Sequence, residues 1–358
     1  MHIVILHNHD HEQLEDDPGR EAREDVVRVA SSLAEALSHD GTDAQLLPVE
    51  GHRLDFVNTL ARKRPDLVIN LCESLATDSR GEMAVPCLLD LIGVPYTGSS
   101  ALSLALALHK DKAKEILRAR GVSTPGFVRV DRLEDVAAVA LPFPLIVKPA
   151  REDASVGVDG NSVVYDTAGL RRVVERVLTT YHQPALVEQF IAGREIYVPL
   201  LGNTPRRILP LTEIRFGAFF NDRPNIVSYQ AKWIAGSPEW DNTGTKSGAL
   251  EDPALEARIV QTAMDAFAAL DCRDYGRVDL RVSPEGVPYV IEVNPNCDLH
   301  PEAGFSRSAY AAGMDYRALA SRLVDIALER THGHSPTRRK GPGAARRADS
   351  SNRNLLAG

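Results

Sequence analysis

Much that would place this chain quickly is missing from it. Its 358 residues hold only four cysteines, Cys72, Cys87, Cys272 and Cys297. They are scattered and form no C-x-x-C pair, which suggests neither a zinc site nor a disulfide framework. That usage suits a reducing compartment, and the cytoplasm is the expected location. No apolar run approaches the roughly 18 residues of a membrane span. The opening MHIVILHNHD enters a strand-like apolar run with no basic n-region and no long h-region, so a secretory signal is not expected. No G-x-G-x-x-G follows that first strand, so the dinucleotide reading fails. Positive charge is also in deficit. The net charge of −8 argues against a general nucleic-acid binder.

What is present is ordinary for a soluble globular protein: 44% apolar and 25% charged residues, enough for a sizeable core. The length suits two or three domains. Strand-like and helical stretches alternate through residues 1–97: HIVILH, then a charged loop, then a helix from Val26 to about Gly41, DAQLLPVE, RLDFVNTLARKRP, DLVINLCE, MAVPCLLDLIG and VPYTGSS. Such alternation implies a parallel sheet covered on both faces. One helix is expected over ALSLALALHKDKAKEILRAR, capped by Ser99 or Ser100 and closed by Gly121 and Pro125. Strands FVRV and PLIVKPA, a small-residue loop REDASVGVDG and a helix GLRRVVERVL complete a second unit, residues 98–180. A third, residues 181–331, carries LVEQFIAGREI, a β-rich stretch with a polar loop IAGSPEWDNTGTKSGAL, and a long helix. The strands GRVDLRV and VPYVIEVN follow, then a final helix YRALASRLVDIALER. Residues 332–358 are rich in Gly, Pro, Ala and Ser, with six basic residues and one acid from Ser335 on, and read as a disordered basic tail.

The chemistry concentrates near the third unit's end. GRVDLRVSPEGVPYVIEVN reads as two strands across a short turn, which sets Asp279 beside Glu292. Period-2 alternation puts Glu292 and Asn294 on one face. Two carboxylates and an amide oxygen are hard ligands that suit Mg²⁺; the plain alternative is a solvated polar strand face. Lys110, Lys148 and Lys232 sit in segments unlike a charged surface, and a phosphate cleft needs several cations. Each alone also reads as a snorkelling surface lysine. The loop with Ser155 and Gly157 has small residues that let backbone N–H groups approach phosphate, although it lacks G-x-x-x-x-G-K-[ST]; a hairpin turn is the alternative. Glu188 and Glu195 flank a turn that could serve a purine and a ribose, or form a salt-bridged hairpin.

Taken in order, GVPYTGSS, ALALHKDKAKEILRARGVSTP, PLIVKPAREDASVGV, LVEQFIAGREI, QAKW, GRVDLRV and IEVNPN resemble the ATP-grasp superfamily, most closely the D-alanine–D-alanine ligase family, over residues 66–325. The resemblance implies a mixed α/β and α+β architecture: an N-terminal parallel α/β domain, a small central α+β lid and a larger C-terminal α+β domain, with ATP between the last two. It implies that Lys110 and Lys148 hold ATP phosphates and that Ser155 lies on a loop closing over them. Glu188, Gln189, Phe190 and Ile191 would form the adenine hinge, and Glu195 the ribose contact. Lys232 would lie near the γ-phosphate, and Asp279, Glu292 and Asn294 would bind two Mg²⁺ ions, with Mn²⁺ as the alternative metal. Arg277 would stabilise the acyl phosphate and tetrahedral intermediate. The implied enzyme joins a small-molecule carboxylate to an amine, forming ADP, with no nucleic-acid or membrane partner; a homodimer is compatible. A D-alanine–D-alanine ligase proper, a small-molecule kinase and a non-catalytic nucleotide binder are the rivals.

The substrate segments depart from the family. LHNHDHEQLEDDPGREARED stands where a Gly-Gly-x-Ser loop and a helix-borne Glu are usual, with Glu21 or Glu24 as candidate substitutes. Only Gly81-Glu82 matches the His-Gly loop, and Ala154 replaces a loop serine. After Asn294, PNCDLHPEAGF replaces a Ser-Pro-Gly-Met-Thr-type segment. Asp298, His300 and Glu302 give that loop either a substrate role or a helix-capping one, the cap being Asp298 or Ser306.

Overall fold

The computed structural model describes residues 1–9, 20–39, 41–51, 53–76 and 78–333. The tail after residue 333 and most of the charged loop after the first strand lie outside the described residues. In chain order the elements are β1 (His2–Asn8), α1 (Arg20–Leu37), β2 (Asp43–Val49), α2 (Asp55–Lys63), β3 (Leu67–Asn70), α3 (Ala84–Ile92), α4 (Ala101–Leu108) and α5 (Lys110–Ala119). Then come β4 (Phe127–Val130), β5 (Leu145–Pro149), β6 (Val163–Val164), α6 (Thr167–Thr180), β7 (Ala185–Gln189), β8 (Arg194–Leu201), β9 (Arg207–Ile208) and β10 (Thr212–Phe216). The remainder is α7 (Tyr229–Trp233), α8 (Pro238–Asp241), β11 (Thr243–Ser247), α9 (Pro253–Ala269), β12 (Tyr275–Val282), β13 (Pro288–Asn294), α10 (Gly304–Ala311) and α11 (Tyr316–Gly333).

β1, β2 and β3 form a parallel sheet in the order β2-β1-β3. β1 is apolar without alternation because both its faces are covered. Ile3 and Ile5 pack with Val29 and Leu33 of α1 and with Leu323 and Val324 of α11. Val4 and Leu6 pack with Phe56, Leu60, Val85 and Leu89 of α2 and α3. The last helix thus closes over the first strand. The middle sheet, β4-β7-β5-β6, is antiparallel and carries α6 on one face through Leu170, Val173 and Val177. The largest sheet runs β11-β10-β8-β12-β13, with β9 paired to β8. Its apolar face meets Ile259, Ala263 and Phe267 of α9, and Ala113 and Leu117 of α5 join that core. Gly276 must be glycine there: a Cβ would sit 2.5 Å from Phe267 Cε2 and 2.8 Å from the Asn294 carbonyl oxygen.

Several expectations are corrected. The helix expected across residues 101–120 is two, broken at His109, whose ψ of 80° is not helical. Its neighbour's amide leaves the helix: Lys110 N donates to the Ala150 carbonyl at 3.2 Å, a bond to the loop after β5. Ser100, not Ser99, caps α4. α1 starts at Arg20 rather than Val26. The polar loop expected after Lys232 contains α8 and β11, and Lys232 itself lies on the short helix α7. β7 pairs with β4 and β5, so the middle sheet extends past residue 180 into the segment assigned to the third unit.

Candidate active site

The strand pair β12–β13 is the floor of the site. Asp279 lies opposite Glu292 and Arg277 opposite Asn294, with a bulge after Asp279 that leaves Ile291 unpaired. Residues two apart share a face, so four polar side chains stand together on one patch. Arg277 grips Asp279 with two hydrogen bonds, Nε to Oδ1 at 2.6 Å and Nη2 to Oδ2 at 2.8 Å, and lies over the Tyr197 ring. Asn294 Nδ2 donates to Asp279 Oδ2 at 3.1 Å. Lys110, brought here by the break at His109, bonds Glu292 and, at 2.9 Å, Asp153. Burial opposes the Lys110 charge, but Asp153 and Glu292 outweigh it and raise the ammonium's pKa. Burial likewise opposes the Glu292 charge, but Lys110 and Lys148 outweigh it and hold that carboxyl down at about 2.

β7 ends in the second cluster. Glu188 is 1% exposed and lies between Lys114 Nζ and Lys148 Nζ, each at 3.1 Å. Burial raises its pKa, yet the two ammonium groups prevail and lower it. Its Oε1 is close to Lys114 but has no well-formed hydrogen bond, so this buried acceptor remains available to a donor. Gln189 Oε1 accepts from Gly126 N, and Phe190 lies under the Arg281 guanidinium. Arg281 ties the segment down: Nε donates to the Ile191 carbonyl at 2.6 Å and Nη1 to Glu195 Oε2 at 2.9 Å. Tyr197 OH donates to the other Glu195 oxygen at 3.0 Å.

The loop after β5 lies against the segment carrying Lys232. Ser155 Oγ donates to the Val227 carbonyl at 2.9 Å, Trp233 Nε1 to the Ala154 carbonyl at 2.9 Å, and Tyr229 N to the Val158 carbonyl at 2.9 Å. Ala154 and Ser155 have φ of 55° and 62°, conformations uncommon for residues with a Cβ. Lys232 makes no hydrogen bond or ion pair with the described residues; burial, then the charge of Arg277, lowers its pKa.

These parts line two adjoining cavities. The first, a cleft, is lined by Lys110, Lys148, Ser155, Glu188, Gln189, Phe190, Ile191, Glu195, Lys232, Asp279, Glu292 and Asn294, with Ile146, Ile226 and Ile291 as apolar wall. The second, a chamber, shares Lys232 and Asn294 with the cleft and is lined by Arg277, Asp25, Glu82, Trp233 and residues 295–299. The residues nominated from sequence for the nucleotide, metal and catalytic roles therefore line one cavity or the other, whereas Glu24, His300 and Glu302 line neither.

Comparison with known proteins agrees with this geometry. The family model described as D-ala D-ala ligase C-terminus matches residues 117–325. The D-alanine–D-alanine ligase of Xanthomonas axonopodis pv. citri is 34% identical over 316 residues, covering 86% of this chain and 91% of the relative. The chain belongs to the D-alanine–D-alanine ligase family. The uncharacterized protein y4sG of Sinorhizobium fredii is also 34% identical, over 315 residues, 86% of this chain and 89% of that one. The crystal structure of the Bacillus anthracis D-alanine–D-alanine ligase complexed with ATP superposes with a TM-score of 0.72 at 25% identity, covering 93% of this chain and 98% of that one. The fold is accordingly ATP-grasp, and the protein is an ATP-dependent, ADP-forming C–N ligase acting on small molecules. No helix among the described residues is long and apolar enough to cross a membrane.

Against that family, some functional candidates escaped sequence reading. Lys114 is 1% exposed, and its Nζ donates to Thr124 Oγ1 at 2.8 Å beside Glu188. Burial, opposed by Glu188 and aided by Lys148, brings its pKa down to about 8. The available signal was its position four residues after Lys110, between Ala113 and Leu117 on an apolar helix face. Asp153, the second partner of Lys110, also escaped. Neither Asp298 nor Ser306 caps α10: Asp298 Oδ1 accepts from His300 N, Ser306 Oγ donates to the Leu299 carbonyl, and Ala303 is the cap position. The Glu21 side chain lies outside the described residues, and on α1 it is Asp25 that lines the chamber.

The donor set also bears on a metal. Among the described residues no three carboxylate, His or Cys side chains gather as a ready-made cage. Two carboxylates and an amide instead offer three oxygen-bearing side chains and leave positions for water and phosphate, which fits Mg²⁺.

Proposed function

We propose that this ligase activates a small carboxylate by phosphoryl transfer from ATP and passes the acyl group to an amine bound in the chamber. One observation carries the reading: the cleft, rich in lysine and carboxylate pairs, opens into the chamber at Lys232 and Asn294, beside Arg277. A carboxylate is a poor electrophile, and phosphorylation supplies a leaving group. The amine then attacks the carbonyl carbon, the C–O bond to phosphate breaks, and phosphate leaves.

The adenine amino group donates to the buried, available Glu188 Oε1, and Phe190 and Ile191 cover the base. Glu195 receives the ribose hydroxyls. Lys110 and Lys148 bind the phosphates, and the loop at Ser155 excludes water that would hydrolyse the acyl phosphate. Asp279, Glu292 and Asn294 are the residues that would hold Mg²⁺, which when bound offsets phosphate charge. Arg277 and Lys232 stabilise the oxyanion that develops as the amine adds.

ADP release across pairs of acids and amines, with mass detection of the product, tests this. D-alanine with itself is the reference pair, after the name of the Xanthomonas relative. ADP and an amide should form in equal amounts. Nucleotide turnover that never depends on an amine would assign a kinase instead.

A further inference from the structure

The chamber beside the nucleotide cleft has a charge pattern that its two cations do not match. Six carboxylates line it, and among the described residues Lys232 and Arg277 are the lysine and arginine that do. Both cations stand at the nucleotide end: Lys232 also lines the cleft, and Arg277 is bound to Asp279 there. Some of the acids are already paired. Asp153 has Lys110, and Asp25 has Arg28 at 2.7 Å. Among the described residues neither Glu82 nor Asp298 makes an ion pair with a lysine or arginine; Lys110 acts on Glu82, and Lys232 and Arg277 on Asp298, only from farther off. Glu82 is 7% exposed, and Asn296 Nδ2 donates to its Oε1 at 3.1 Å, leaving Oε2 without a hydrogen bond. Asp298 uses Oδ1 for the His300 amide at 2.7 Å, and Oδ2 makes no hydrogen bond.

These acids come from separate parts of the chain: Glu82 precedes α3, and Asp298 follows β13. Burial raises both carboxyl pKa values; Asp153 adds to it for Glu82 and Asp25 for Asp298, while Lys110 pulls Glu82, and Lys232 and Arg277 pull Asp298, the other way without cancelling it. A buried carboxylate without a counter-charge is costly, and a cation beside it removes that cost. A substrate bearing a second carboxylate would find Lys232 and Arg277 at the nucleotide end of the chamber, while Glu82 and Asp298 would present like charge.

Resting on the ligase reading above, we propose that the chamber selects a substrate carrying a cationic group apart from its reacting groups. This is the side-chain ammonium or guanidinium of a basic amino acid, with Glu82 and Asp298 as its counter-charges.

Calorimetry on the intact protein with Mg²⁺ and a non-hydrolysable ATP analogue tests this. Lysine is compared with norleucine, and arginine with citrulline, each as both enantiomers. A charge-assisted hydrogen bond predicts that lysine or arginine binds about tenfold or more tightly than its neutral counterpart. Asp298→Asn and Glu82→Gln each keep the internal hydrogen bond and remove the charge. Both should shrink that ratio several-fold while the neutral ligand's affinity stays, with melting temperature as the check on folding. Equal binding of the neutral counterparts, no binding by any of the ligands, or ratios unchanged in both variants would overturn the proposal. ADP release judges the ligase reading separately. Ligation confined to neutral pairs retains that reading and rejects this one, while amine-independent turnover rejects the ligase reading and leaves the binding ratio legible.

Discussion

In the nucleotide cleft every principal carboxylate meets a cation. Glu188 has Lys114 and Lys148, Glu195 has Arg281, Asp279 has Arg277 and Glu292 has Lys110. In the adjoining chamber Glu82 and Asp298 make no ion pair among the described residues; burial raises their pKa values, as it does that of Glu195, where those of Glu188 and Glu292 fall. The two regions share Glu152, Lys232 and Asn294 as polar lining but differ in how their remaining carboxylates are paired. The cleft is preorganised: its ion pairs hold donors and acceptors in place before any ligand arrives, which suits a reaction component common to a whole family. The chamber leaves charge unmatched, which suits selection of one substrate among many.

Asn294→Ala is expected to strike hardest, since it removes a side chain that lines both regions and is proposed to hold the metal. ADP release should fall about 10²–10³-fold, the scale for loss of one electrostatic stabiliser, with a melting temperature near wild type. Activity close to wild type would detach Asn294 from the chemistry. Lys114→Met attacks the cleft's balance from beneath. Breaking a buried ion pair costs about 3 kcal/mol, read as a lower urea midpoint. The pH dependence has a definite sign. With the Lys114 pKa lowered from 10.5 to about 8, the unfolded state binds more protons between those values. Wild-type stability relative to Lys114→Met should therefore increase as pH rises through that window; a decrease would mean a raised pKa instead.

Lys148→Ala should raise the KM for ATP about tenfold, because Glu188 retains Lys114 while the phosphates lose one cation. An unchanged KM would move the phosphate site away from β5. The smallest effect is expected from Ser155→Ala, which removes one hydrogen bond between the loop and Val227. A loss of about 1 kcal/mol in holding the loop closed predicts a several-fold increase in KM for ATP, with no change in the chamber's ligand preference. An altered preference would couple the two regions through that loop.

The cleft was legible in the sequence because its parts obey local rules. Asp279 and Glu292 were expected to face each other because a short turn joins two alternating strands, and they do. The apolar run HIVILH was readable as a strand buried on both faces. The break at His109 was not readable, since AlaLeuHisLysAsp has no helix breaker and the cause is a hydrogen bond to Ala150, forty residues away along the chain. Helix α7 was missed because five residues are too few to show a period.

By itself the sequence determined the order of the pieces, the strand faces and therefore the grouping of Asp279, Glu292 and Asn294, because alternation along a strand is a property of neighbours. Tertiary structure alone decided which charges are neutralised. Helical spacing sets Lys114 on an apolar face, but only folding places it against Glu188, while Lys112 makes an exposed pair with Glu115. Glu82 and Asp298 come together in one chamber only when folding desolvates both, with no ion-pair partner for either among the described residues. The strength of a charge depends on its solvent and its partners, and both are set by residues far away in the chain.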